Sequence, residues 1–254
     1  MDFENILYEK QGHIAKLTLN RPPANSVNLA TLVDVDAALD EAEKDKEVRV
    51  LVITGAGEKG FSAGFDVSDA ANGHLTGPKG QEVWTRIDRF PKPVIAAING
   101  YAFGGGCELA MASTFRIMQE NAKIGLTELN LGIIPGWGGT QRMPRILGKS
   151  KALDIILFSK RLPAQEALEI GLVDKVSAVG DLMKDVMEMA EFLAQRPPLA
   201  VTAVLNAVNT GLEKGLDEGT KVEWEGTQTV SSSKDAMEGF TAFMEKRAPN
   251  FTGE

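Results

Sequence analysis

The chain has 254 residues, 43% of them hydrophobic, enough to bury one substantial core. Its formal net charge of −8 argues against a polyanion such as nucleic acid as a main partner. With two histidines and one cysteine, Cys107, neither a zinc cluster of the usual ligands nor an internal disulfide can be assembled.

In chain order, the amino terminus, residues 1–5, is acidic and has neither a charged-then-apolar signal nor an Arg/Ser-rich transit pattern. No uninterrupted run of about 18 apolar residues follows, so a soluble cytoplasmic protein with no membrane partner is expected. Residues 6–8 and 14–19 read as paired strands around Gln11-Gly12-His13, and residues 29–44 as a helix. A strand over 48–54 leads to the glycine-lined turn Lys59-Gly60-Phe61-Ser62-Ala63-Gly64-Phe65-Asp66. Residues 68–81 read as a compact loop, with turns at Asn72-Gly73-His74 and Thr76-Gly77-Pro78, before a helix around 81–89. The apolar run 94–98 is a buried strand, and Asn99-Gly100-Tyr101 turns the chain into Gly104-Gly105-Gly106, where a helix to residue 113 begins. Strands at 115–118 and 172–176 and helices at 149–158, 164–170 and 182–195 complete an α/β alternation. Arg196-Pro197-Pro198 marks a boundary between residues 1–196, a core carrying the site, and residues 197–254, three helices around 200–209, 216–230 and 235–246. A Rossmann domain is disfavoured because Gly104-Gly105-Gly106 fails at the third glycine of G-x-G-x-x-G. A P-loop fails because Met143 stands where its first glycine belongs.

Two glutamates carry most of the chemical information: Glu108, four residues into the triple-glycine segment, and Glu128, in Thr127-Glu128-Leu129 ahead of Gly132-Ile133-Ile134-Pro135-Gly136. Each sits in an apolar, glycine-rich stretch where a buried carboxylate is costly. Glycines at a helix start expose unpaired N–H groups to a ligand, and the helix dipole adds partial positive charge there. A carboxylate acid/base pair beside an oxyanion donor follows. Gly60-Phe61-Ser62-Ala63-Gly64 also fits the G-x-S-x-G elbow of serine hydrolases. Only His74 follows Ser62, however, with Asp66 or Asp69 between them, and three triad members in one loop do not converge easily from separate elements.

The chain resembles the crotonase, or enoyl-CoA hydratase/isomerase, superfamily. The likeness runs from Leu19-Asn20-Arg21-Pro22 through Phe61 to Asp66, Lys92 to Gly100 and Gly104-Gly105-Gly106-Cys107-Glu108-Leu109-Ala110. It continues through Gly132 to Arg142, Ala164-Gln165-Glu166-Ala167 and Gly171-Leu172-Val173, and ends in Phe243-Met244-Glu245-Lys246-Arg247. Their order over nearly the whole chain is more telling than any one string. The resemblance implies a ββα superhelix with a helical tail that builds homotrimers or homohexamers and helps cover the site. It implies an acyl-CoA substrate, with coenzyme A as part of that substrate and no separate cofactor. The backbone N–H groups of Phe65 and Gly105 become the oxyanion hole, Glu108 the group activating water, Glu128 the proton donor to the α-carbon, and Gly136 a water-positioning N–H. Ser62, Ala63, Asp66, Trp137, Phe243 and Lys246 are the implied substrate-binding positions, with Lys246 a cation for coenzyme A phosphates.

Retention of both glutamates favours hydration of a 2-enoyl thioester. Isomerisation of an enoyl-CoA, or hydration of a cyclic dienoyl-CoA, is the alternative within the fold. A non-catalytic acyl-CoA or RNA-binding scaffold is the alternative outside catalysis. Thr127 stands where proline is frequent in the family, and Trp137 where a smaller residue or Phe is frequent. Trp137 either shortens the acyl pocket or packs beneath the loop.

Overall fold

The computed structural model describes residues 3–254, so Met1 and Asp2 of the acidic amino terminus lie outside the described residues. Strand β1 (Ile6–Gln11) folds back antiparallel on β2 (Ile14–Leu19). Helix α1 (Leu29–Lys44) follows, capped by the Asn28 side chain, which accepts from the Thr31 N–H at 2.9 Å. The chain then repeats a long strand, a short strand and a helix. The first round is β3 (Val50–Gly55), β4 (Gly60–Ser62) and α2 (Gly73–Asp88). The second is β5 (Val94–Ile98), β6 (Tyr101–Phe103) and α3 (Gly105–Ala112). The third is β7 (Phe115–Gln119) and β8 (Lys123–Gly125), followed by α4 (Gly139–Leu147) and α5 (Lys149–Leu157). Next come β9 (Leu162–Pro163), α6 (Ala164–Glu169), β10 (Lys175–Ser177) and α7 (Leu182–Ala194).

The long strands form a six-stranded sheet in the order β1-β2-β3-β5-β7-β10, and the short ones a four-stranded sheet in the order β4-β6-β8-β9. Because β3, β5 and β7 are parallel neighbours and β4, β6 and β8 are too, each round advances one strand in both sheets. That is a ββα superhelix. The large sheet is buried on both faces. In β3, Leu51 and Ile53 enter the main core, while Val50 and Val52 pack under Leu182, Val186 and Ala190 of α7, as the two-residue period of a strand requires.

Several boundaries differ from the sequence reading. The stretch read as a loop over 68–81 is a 3-10 turn, Val67–Asn72, running into α2, which starts eight residues ahead of the expected helix. Its buried stripe, Thr76, Gly80, Val83, Trp84 and Ile87, keeps helical spacing across the Gly-Pro signal. Pro78 is tolerated inside the helix partly because Gly77 before it has no Cβ to clash with the proline ring. Tyr101, read as part of a turn, begins β6; strands of three residues are too short to display alternation. Leu172 and Val173 are buried by packing outside any strand, and β10 begins at Lys175.

The tail comprises α8 (Pro198–Lys214), α9 (Leu216–Ser231) and α10 (Lys234–Glu245). Helices α8 and α9 form a hairpin in which Gly219 lies against Gly211, and Gly226 against Ala203. Polar contacts tie α8 to the body: Thr202 Oγ1 donates to the Pro91 carbonyl at 2.8 Å, Asn209 Nδ2 to the Asp88 carbonyl at 2.9 Å, and Arg89 pairs with Glu213 at 2.8 Å. The C-terminal segment returns to the body, where Arg49 donates to the Ala194 and Phe251 carbonyls at 3.0 and 2.9 Å.

Candidate active site

The second strands of successive rounds deliver their following turns to one place. Gly64 follows β4 at φ 80°, a conformation that favours glycine, and a Cβ there would collide with the Gly105 backbone nitrogen. This close approach sets Phe65 beside the first turn of α3. Neither the Phe65 nor the Gly105 N–H donates to a protein acceptor among the described residues. For Gly105 this is the ordinary state of a helix N-terminus. Trp84 of α2 fixes the spot from behind, its indole N–H donating to the Gly105 carbonyl at 2.9 Å.

Glu108, on the first turn of α3, is 2% exposed. Its Oε1 accepts from the N–H groups of Trp137 and Gly139 at 2.8 and 2.7 Å. Burial first, and then the charge of Glu128, push its pKa up to about 7, against the pull of those two N–H groups and of Arg142. Glu128 opens a 3-10 turn, Glu128–Leu131, that follows β8, and its carboxyl lies against Gly104, where a Cβ would stand 3.2 Å from Oε1. Burial raises its pKa as well. Neither of its carboxyl oxygens closes a hydrogen bond with a protein group. The two carboxyls are therefore unlike: Glu108 closes two backbone hydrogen bonds, whereas Glu128 closes none, and burial outweighs the downward pull of its own and the Thr127 N–H groups.

Both carboxyls line a cleft of about 330 Å³ shared with Ala63, Phe65, Gly105, Gly136 and Trp137. Trp137 is 5% exposed and meets Trp84 and Phe65 edge-on at ring separations of 5.6 and 6.2 Å, filling the space left by Gly80 and Gly105. Its ring is thus packed beneath the site while one surface walls the cleft. The other implied positions are elsewhere. Ser62 is fully buried, its Oγ donating to the Asn25 carbonyl at 2.7 Å and accepting from the Gly64 N–H at 3.1 Å, so it braces the turn and does not line the cleft. Those partners leave it no part in a histidine triad. The Asp66 carboxylate pairs with Arg21 at 2.9 Å and accepts from Ser68, which holds it below the usual carboxylate range. Phe243 and Lys246 lie at the end of α10 and do not line this chain's own cleft. Trp84 and Arg142, which sequence motifs did not single out, prove central; Trp84 was signalled only by its place on the apolar stripe of α2.

Among the described residues, no cluster of three or more His, Cys, Asp or Glu side chains could hold a metal ion, and no helix is long and apolar enough to cross a membrane. Burial and the two neighbouring glutamates push the Cys107 thiol well up, so it stays protonated as a packed side chain.

Residues 9–254 match the family model described as enoyl-CoA hydratase/isomerase. The chain belongs to the enoyl-CoA hydratase/isomerase family. Within it, the chain is 41% identical to the short-chain-enoyl-CoA hydratase of Clostridium acetobutylicum over 97% of both chains. It is also 41% identical to the crotonyl-CoA hydratase of Syntrophomonas wolfei over 99% of both. The crystal structure of an enoyl-CoA hydratase from Bacillus anthracis superimposes with a TM-score of 0.96 at 40% identity, covering 99% of this chain and all of that one.

Proposed function

We propose that this family member is an enoyl-CoA hydratase, adding water across the 2,3 double bond of an enoyl-CoA thioester to give a 3-hydroxyacyl-CoA. The observation that carries the reading is the meeting of two buried, unlike carboxyls with two uncommitted backbone N–H groups at one largely apolar cleft. Hydration of a conjugated thioester needs a base for water, a proton donor for C2, and a stabiliser for the charge that develops on the thioester oxygen. Glu108 takes a proton from water as the water oxygen bonds to C3. Electrons of the double bond move onto the thioester oxygen, held by the Phe65 and Gly105 N–H groups. The enolate then collapses with transfer of the Glu128 proton to C2. The Gly136 N–H helps hold the water. The proton gained by Glu108 replaces the one given by Glu128, and exchange restores the pair. The two carboxyls repel each other's charge and share one proton, and hydration starts from the form in which Glu108 is ionised and Glu128 carries that proton.

The relatives named for short-chain enoyl-CoA and crotonyl-CoA support a short linear acyl group as the first substrate. Coenzyme A enters only as part of the substrate. The exposed apolar faces of the tail support a homotrimer or a homohexamer built from two trimers, in which Phe243 and Lys246 reach the cleft of an adjoining subunit. A cytoplasmic setting accords with a single unpaired cysteine.

Turnover of a straight-chain 2-enoyl-CoA in water enriched in oxygen-18 and deuterium tests the reaction. Hydration gives 3-hydroxyacyl-CoA with oxygen-18 at C3 and deuterium at C2. A shifted double bond without oxygen label, from linear and cyclic substrates alike, would replace hydration by isomerisation.

A further inference from the structure

Behind the two N–H groups that hold Glu108 lies a part-buried ion pair that the hydration chemistry itself does not use. The Arg142 guanidinium, on α4, is 10% exposed, and its Nε donates to Asp88 Oδ2 at 2.8 Å. Its Nη1 donates to the Trp137 carbonyl at 2.8 Å. Trp137 and Gly139 are the residues whose N–H groups bind Glu108 Oε1. Between them Gly138 sits at φ 107°, and any Cβ there would collide with Arg142 Nη1. The turn is thus shaped to admit the guanidinium. Asp88, at the end of α2, is itself capped from the tail, where Asn209 Nδ2 donates to its carbonyl at 2.9 Å.

We infer that Arg142, clamped by Asp88, is a positioning residue for Glu108: it fixes the 137–139 turn that aims the carboxylate and supplies the positive charge that keeps that carboxylate available as a base. The inference rests on the hydratase reading for the role of Glu108 but not for the geometry. The charged groups facing Glu108 are Glu128 from the turn after β8 and Arg142 from α4, with Asp88 from α2 behind the arginine and the protonated Cys107 beside it on α3. Arg142 therefore opposes the like charge that Glu128 brings to the site.

The two halves of the ion pair should act on Glu108 with opposite sign. Arg142→Gln removes the positive charge, so the acidic limb of the kcat/KM profile should move up by about one pH unit, with maximal kcat/KM about tenfold or more lower. Arg142→Lys keeps the charge but loses the planar fork that spans Asp88 and Trp137, so its limb should stay near the parent's while kcat falls. Asp88→Asn leaves the arginine charged and should hold the limb at or below the parent's value. Asp88 is 39% exposed, so Asp88→Asn should fold, which keeps the test open if Arg142→Gln folds poorly. A purely structural role would instead give the same direction of shift in both Asp88→Asn and Arg142→Gln. Infrared titration of the carboxyl band that disappears in Glu108→Gln reads the same shifts without substrate, so a failure of the hydratase reading leaves this test intact. An unmoved Glu108 titration in Arg142→Gln, or like-signed shifts in the two variants, would overturn the inference.

Discussion

At the scale of single residues, the site sets burial against backbone hydrogen bonding in two carboxyls and reaches a different balance in each. Glu108 is held by two N–H donors yet is pushed from its ordinary 4.5 to about 7. A carboxyl raised in the folded state contributes stability that is full below its unfolded pKa near 4.5 and is lost as pH climbs through about 7. At about 1.4 kcal/mol per pH unit, the loss is on the order of 3 kcal/mol. Glu108→Gln should therefore gain stability relative to the parent as pH rises from 4.5 to 8, measured by urea unfolding, while kcat falls at least about a hundredfold. A stability difference that stays flat over this range would refute the raised pKa. Glu128→Gln should show a comparable kcat loss, because an amide cannot supply the proton for C2. Both glutamates were legible in the sequence because carboxylates in apolar, glycine-rich segments stand out. Arg142 was not, since an arginine near a helix start is ordinary and its partner Asp88 is remote in sequence.

At the scale of elements, α2 shapes one end of the cleft. Gly73 and Gly77, one helical turn apart, line the cleft, and a Cβ at either would meet nothing within 4 Å. Trp137, in contrast, fills the space beside Gly80 on the same helix. The helix is therefore open toward its N-terminus and closed one turn later. Gly73→Leu should project a side chain into the open part. Since Gly73 has ordinary helical φ and ψ, folding should be kept and helix propensity improved. Activity on crotonyl-CoA should persist while kcat/KM for medium-chain enoyl-CoA falls about tenfold or more, mainly through KM. Equal losses across chain lengths would remove this face of α2 from substrate selection. This helical wall was not legible in the sequence, because Gly and Pro are strong turn signals and the helical stripe beneath them begins with Thr76 and Gly80, residues with little apolar weight. By contrast α1 and β5 were legible end to end: an apolar stripe at helical spacing and a continuous apolar run are local signals that packing does not override.

At the scale of the whole molecule, the tail is the part whose exposed surface does not match its composition. Helix α8 has no buried residue in 17, and Trp224, Phe240 and Phe243 are 62%, 75% and 80% exposed. A chain that stayed monomeric would leave several large apolar side chains in water on neighbouring helices, which is unusual over so wide an area. The tail is nevertheless pinned to its own body through Thr202, Asn209 and the Arg89–Glu213 pair, so truncating it would remove intrachain contacts along with any interface. A sharper test leaves those contacts alone. Replacing Phe240 and Phe243 by glutamate places charge on an already exposed face, which the isolated fold should tolerate with little change in unfolding temperature. Across a subunit interface the same charges would be desolvated beside apolar groups and should split the assembly. Light scattering should then report a smaller species than the parent. If Phe243 and Lys246 reach the cleft of a neighbouring subunit, KM for the enoyl-CoA should rise in the dissociated form even though Glu108 and Glu128 are untouched. A variant with the parent's mass and KM would place assembly on another surface and leave the exposed end of α10 without a part in substrate binding.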